Sequence, residues 1–140
     1  MIDVWIGGLP QPQGSSRAFV RGGRAVITSA NPRLRPWRAT VTEELSNAIG
    51  VGSHPIADPV AVTLEFVFPR PASHFGKRGL LPSAPEFPGG RPDVDKCVRA
   101  ILDSLQESGA IRDDSLVVTL IARKRFGERP GVRIHVERVR

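Results

Sequence analysis

The chain has 140 residues, 40% of them hydrophobic and 24% charged, with a formal net charge of +6, which describes one folded domain spanning 1–140 and excludes a disordered chain. No apolar run nears the ~20 residues of a bilayer span, and the opening MIDVWIGGLP has neither a basic nor a long apolar leader. With Cys97 as its one cysteine, and so no internal disulfide, the sequence predicts a cytoplasmic protein without a membrane partner.

Ile2, Val4 and Ile6 alternate with Asp3 and Trp5, predicting a short strand that ends at Gly7-Gly8. LPQPQGSSR is loop by composition. In AFVRGGRAVIT two β-prone runs flank Arg21-Gly22-Gly23-Arg24, a hairpin with a glycine turn. NPRLRPWRATVTEELSNAIG predicts a helix with Asn31 as cap and Pro32 at its first position. Its apolar stripe runs Leu34, Trp37, Val41, Leu45, Ala48 and Ile49, and Gly50 stops it.

PVAVTLEFVFP is the clearest strand, with Val60, Val62, Leu64, Phe66 and Phe68 on one face. Residues 69–92 hold six prolines and several glycines, so they read as a long irregular connection, the kind that is functional or mobile. A second helix is predicted from about Val94 to Ser108, with Val94, Val98, Ile101, Leu102 and Leu105 as its core stripe and Gly109 as its end. SLVVTLIARKR is apolar on both faces and predicts a central strand. The FGERPG turn then predicts that GVRIHVERV pairs antiparallel with it. The fold class is α+β: a mixed β-sheet with an N-terminal hairpin and two main helices.

The charge is unevenly spread. Residues 86–115 carry seven acids and four bases, or −3, whereas the remainder carries sixteen bases and seven acids, or +9. With a pI near 10.9, that remainder favours a polyanionic partner, nucleic acid ahead of a membrane surface. His54, His74 and His135 are scattered and form no Cys/His zinc set with Cys97.

The acidic stretch RPDVDKCVRAILDSLQESGAIRDDS sets Asp93 and Asp95 at one end of the second helix and Asp113 and Asp114 past the other. Two readings stand side by side. The aspartates can cap a helix and shape a turn, or they can form a cation site, since close carboxylates raise one another's pKa unless positive charge lies between them. To share an ion, the chain after Gly109 must run back toward the start of this helix or of a neighbouring element. Asp103 lies eight residues after Asp95 with Arg99 between, and either orients Arg99 or is a solvated charge. Cys97 reads as a small buried hydrophobe and Trp37 as core, while Trp5 either packs or stacks on a base. Lys77-Arg78 in the long loop and Arg123-Lys124-Arg125 are the best candidate phosphate contacts.

The run Arg91-Pro92-Asp93-Val94-Asp95-Lys96, followed by Arg99, Ala100, Ile101, Asp103, Leu105, Gly109 and Asp113-Asp114-Ser115, resembles the signature of the RusA family of Holliday-junction resolvases. LPQPQGSSR, the tryptophan of the first helix and the proline-rich approach to Arg91 more loosely resemble phage-encoded members. The resemblance implies a RusA-like resolvase fold. It also implies a metal-dependent endodeoxyribonuclease that cuts four-way junctions and other branched DNA as a homodimer in recombination and repair. Carried over, Asp93, Asp95 and Asp114 are the catalytic, metal-binding aspartates, with Asp113 in support. Such an all-carboxylate set suits Mg²⁺, with Mn²⁺ as the substitute.

The sequence departs from the family pattern at two positions. Lys96 stands where asparagine is common, and Arg99 stands where the family has a functionally important lysine. Arginine holds a phosphate bidentately but does not give up a proton, so Arg99 is expected to act electrostatically in catalysis. Arg17, Lys77, Arg78, Arg91, Lys96, Lys124 and Arg125 are the expected DNA contacts. A rival from another class is a non-catalytic DNA-structure-binding protein whose acids only cap and turn, and dependence on metal separates the two.

Overall fold

Strand β4 (Val60–Phe68) alternates as its sequence predicts: Val60, Val62, Leu64 and Phe66 are wholly buried on one face, and Thr63 and Glu65 are half-buried on the other. It is the inner strand on which the sheet is built. The computed structural model describes residues 1–14, 16–29 and 31–139, and at 16–19 and 26–29 only the backbone is described. The expected phosphate contact of Arg17 therefore lies outside the described side chains.

Four strands form one sheet in the order β1-β8-β4-β7. Strand β1 (Ile2–Gly7) pairs antiparallel with β8 (Gly131–Arg138), β8 pairs antiparallel with β4, and β4 pairs in parallel with β7 (Val117–Phe126). Strands β2 (Ser16–Arg21) and β3 (Arg24–Ser29) make the expected separate hairpin. The long connection contains a short 3-10 turn, Ala72–His74, and a minimal hairpin of β5 (Phe75–Gly76) and β6 (Gly79–Leu80).

Helices α1 (Leu34–Ile49) and α2 (Val94–Glu107) pack on one another and on one face of the sheet. Trp37, Val41 and Leu45 enter the core from α1, and Cys97, Val98, Ile101 and Leu105 from α2, against Val62, Leu64, Phe66 and Ile134. The amphipathic spacing of each helix leaves no other way to bury these stripes. Gly109, at φ +81, takes the left-handed turn that ends α2, as the sequence predicts. Helix α1 begins later than expected. Arg33, not Asn31, is its N-cap residue, and the Asn31 side chain instead accepts from the Arg33 N–H at 3.1 Å.

Two further expectations are corrected. Strand β7 is an edge strand, not a central one, and β8 does not pair with it, because β4 lies between them. The short link from β7 to β8 passes over the end of β4, where the Gly127 N–H donates to the Phe68 carbonyl at 3.0 Å. The parallel β4–β7 pair needs a crossover, and α2 supplies it. Strand β4 thereby takes the place beside β7 that a simple hairpin would have given to β8.

The ladder register assigns the side chains of β7 to faces. Leu120, Ala122 and Lys124 lie beside Val62, Leu64 and Phe66 on the helix side; Thr119, Ile121 and Arg123 lie beside Ala61, Thr63 and Glu65 on the other. Val118, Leu120 and Ile121 are nevertheless 58%, 43% and 54% exposed. The helices do not reach that far across the sheet, so apolar character on both faces here marks a bare edge rather than a buried centre.

The opposite face of the sheet is charged. Arg133 forks onto Asp3 at 3.2 and 3.1 Å, and Arg125 meets Glu65 at 2.8 Å. The guanidinium of Arg133 holds the Asp3 carboxyl below its usual range. Trp5 lies on this face over Gly131, where any added Cβ would collide with its ring.

Candidate active site

Asp93 is the N-cap residue of α2, with the extended backbone (φ −70, ψ 140) that a cap requires. Its carboxylate, however, caps no backbone N–H. It accepts from Lys96 Nζ at 2.8 Å instead. That hydrogen bond, with the charge of Lys96, holds the Asp93 carboxyl below the ordinary carboxylate range and raises Lys96 in turn. Capping alone therefore does not explain this aspartate.

Asp95 stands exposed in the first turn, with Arg99 one turn on along the same helix face. Among the described residues neither takes part in an ion pair. Of the two readings of Asp103, the one in which it orients Arg99 does not hold. Asp103 instead accepts from Gln13 Nε2 at 2.6 Å and lies 3.9 Å from Arg38. Arg99 is thus an exposed guanidinium one turn from Asp95, with no acid among the described residues holding it.

The second acidic pair sits at the other end of α2. Asp113 Oδ1 accepts from the Ser115 N–H at 2.8 Å and caps the 3-10 turn Asp114–Leu116 that leads into β7. For Asp113 the turn-forming reading is correct, and this bond to the Ser115 backbone lowers its pKa. Asp114 responds in the opposite sense: the hydrogen bond with the Asp113 carboxyl, then burial and the neighbouring acids, raise it. The Asp114 N–H also donates to Gln106 Oε1 at 3.3 Å.

These contacts fix the relation between the pairs. Asp95 lies in the first turn of α2, while Asp114 leans on Gln106 in the last. Eleven residues of helix separate Asp95 from Gln106, a rise of about 16 Å. Lys124, toward the far end of β7, donates through Nζ to the carbonyls of Gly90 and Pro92 at 2.8 and 2.9 Å, directly before Asp93. Strand β7 therefore runs antiparallel to α2, starting at the Asp114 end and finishing at the Asp93 end. Among the described residues, no three of His, Cys, Asp and Glu come together to hold a metal ion.

The expected DNA contacts scatter around this axis. Lys77 and Arg78 form the exposed tip of the β5–β6 hairpin. Arg91 is exposed beside Asp93, Lys96 is engaged by Asp93, Lys124 braces the proline-rich loop, and Arg125 is engaged by Glu65. Sequence reasoning passed over Gln106 and Gln13. Nothing local marks either: Gln13 is a loop residue whose aspartate is ninety positions away, and Gln106 meets Asp114 only because the chain turns back after α2.

A family model described as endodeoxyribonuclease RusA matches residues 8–137, a span that contains both acidic pairs, Arg99 and the brace at Lys124. The chain belongs to the RusA endodeoxyribonuclease family. A search of curated proteins found no match. The mixed sheet and two helices agree with the fold that the resemblance implied.

Proposed function

We propose that the chain is a metal-dependent endodeoxyribonuclease that cuts four-way junctions and other branched DNA as a homodimer, in recombination or repair within the bacterial or phage-infected cytoplasm. The observation that carries this reading is the RusA match over residues 8–137, with all four aspartates inside it. Oxygen donors alone, without imidazole or thiolate, fit a hard divalent cation, Mg²⁺ or Mn²⁺. Asp93, Asp95 and Asp114 would hold it with support from Asp113, and the bound ion would activate water and offset charge on the phosphodiester. Lys96 holds the Asp93 carboxylate in place, Asp113 shapes the turn that aims Asp114, and Arg99 offers a bidentate grip on a phosphate oxygen.

One chain keeps its acidic pairs at opposite ends of α2, so the set is completed by a second copy. The bare first half of β7 supports this. Native edges are blunted by charge, proline or a covering element, whereas Val118, Leu120 and Ile121 are exposed and apolar. Antiparallel pairing of two β7 strands around Thr119 and Leu120 would set Asp114 of one copy opposite Arg125 of the other. Arg125 adjoins Lys124, which carries the loop ending in Asp93. Two-fold symmetry then yields two equivalent composite sites, suited to two strands of a two-fold-symmetric junction.

A synthetic four-way junction incubated with and without Mg²⁺ tests the activity. Cleavage is expected only with the metal, and Asp93→Asn, Asp95→Asn and Asp114→Asn should each abolish it while leaving junction binding intact. More than about a tenth of wild-type cleavage in all three variants, a barrier change of ~1.4 kcal/mol or less, contradicts the assignment. Binding that ignores Mg²⁺, with no cleavage at all, would favour the DNA-structure-binding module instead.

A further inference from the structure

A cavity of about 960 Å³ opens beside Asp93, between the proline-rich loop that precedes α2 and the N-terminal segment around Pro10. Its floor is the ends of β4 and β7, at Phe68 and Phe126. Its size is at the upper end for pockets that take small ligands.

The walls are held in place by side chains. Arg70 donates to the Pro85 carbonyl at 2.7 Å and lies 4.3 Å over the Phe126 ring, against which His74 packs edge-on at 5.4 Å. Lys124 ties down the carbonyls of Gly90 and Pro92. On the facing wall the Gln13 N–H donates to the Lys96 carbonyl at 3.0 Å, which fixes the N-terminal segment along α2. The concavity is thus preformed.

Its chemistry is mixed in an informative way. Phe87 lines it yet is 64% exposed, an aromatic face left uncovered inside a pocket. Arg33, Arg91 and Lys96 stand on the same lining, and neither arginine makes an ion pair among the described residues. An aromatic face beside cations fits a flat neutral ring joined to an anionic group, which is the composition of a nucleotide, base and phosphate.

We propose that this pocket takes an unstacked nucleotide of the strand being cut, its base against Phe87 and its phosphate at Arg33 and Arg91. The identity of that strand as junction DNA rests on the function proposed above; the pocket's affinity for a nucleotide does not. Asp93 lies on the same lining, so the captured nucleotide adjoins the phosphodiester to be hydrolysed. Taking it out of the stack costs least where pairing is already interrupted, which would couple cleavage to the branch point.

Two measurements separate the pocket from the wider reading. The first titrates the isotope-labelled full chain, without divalent metal, with a 5′-phosphorylated thymidine dinucleotide and follows the backbone amides. Saturable shifts are expected at Phe87, Gly89 and Gly90, with binding about fivefold or more weaker in Phe87→Ala and in Arg91→Ala. Unmoved amides at millimolar dinucleotide overturn the proposal. So do shifts that follow protein concentration rather than nucleotide, because a second copy would then be the occupant. The second uses a junction carrying 2-aminopurine next to the cut site: its fluorescence should rise severalfold on binding to wild type and stay flat with Phe87→Ala. Flat fluorescence on a junction that wild type binds and cuts overturns the pocket while leaving the nuclease intact. Dinucleotide shifts in a protein that ignores junctions support the pocket and overturn the junction reading.

Discussion

Lys124 Nζ lies 2.9 Å from the carbonyl oxygen of Pro92, which ties the far end of β7 to the residue before Asp93. The same ammonium holds Gly90 at 2.8 Å. These are charge-assisted bonds from a half-buried lysine, stronger than neutral ones. Lys124→Met keeps most of the apolar stem and removes both. It should cost about 1–3 kcal/mol of stability, seen as a lower urea midpoint with an unchanged slope, and it should speed proteolysis within residues 88–92. An unchanged midpoint and cleavage pattern would show that the brace is incidental.

Cys97 is fully buried on α2, and burial above all pushes its thiol up to about 11. At pH 8 a disulfide reagent should leave the folded protein unlabelled and react promptly once urea unfolds it. The unfolded thiol ionises near 9.0 and the folded one near 11. The folded state therefore keeps a proton that the unfolded state has lost. This contribution to stability is complete below pH 9 and disappears as pH rises toward 11. Cys97→Val should flatten that part of the pH profile. Prompt labelling of the native protein would show that α2 opens locally.

Arg99 lies one turn from Asp95 without an ion pair among the described residues, and under the proposed function it would meet a phosphate rather than stabilise α2. Arg99→Ala should lower single-turnover cleavage ~10²-fold or more, as loss of one transition-state donor does. Arg99→Lys should retain much of the rate, and neither change should cost more than ~1 kcal/mol of stability. A wild-type single-turnover rate for Arg99→Ala would remove it from the site while leaving the aspartates untouched.

The strand edge gives a prediction about assembly. Ile121 is 54% exposed, so Ile121→Lys places a charge on the bare stretch of β7 without disturbing the core. Sedimentation equilibrium should then find a monomer where wild type is expected to be a dimer, with unchanged far-UV circular dichroism and lost cleavage. A variant that stays dimeric and active would place the contact elsewhere.

The two helices and the inner strand could be read from sequence because their information is local. The stripe Val98, Ile101, Leu105 and the glycine after it specify α2 almost residue by residue, and the alternation in β4 specifies which face is buried. Strand β7 misled for a physical reason. Val118, Leu120 and Ile121 satisfy the pattern of a buried strand, and nothing nearby in sequence says that the helices stop short of it. Pairing of β8 with β4 rather than β7 is likewise decided by residues some seventy positions away. At the site, both acidic pairs were legible as residues, whereas their separation along α2 was not, because it depends on Lys124 and Gln106 fixing which way β7 runs. Asp113 proved to be a turn residue as its type suggests, and Asp93 did not behave as the cap that its position suggests.

The most direct test of the composite site mixes two variants expected to be inactive, Asp93→Asn and Asp114→Asn, under conditions where subunits exchange. In a mixed dimer one composite site carries both lesions and the other carries neither. Cleavage should therefore reappear as single-strand nicking, at about a quarter of the wild-type number of sites for equal exchange. Were Asp93 and Asp114 to serve a site within one chain, every site in the mixture would keep a lesion. Cleavage no greater than that of either variant alone, with mixed dimers shown to be present, would contradict the account.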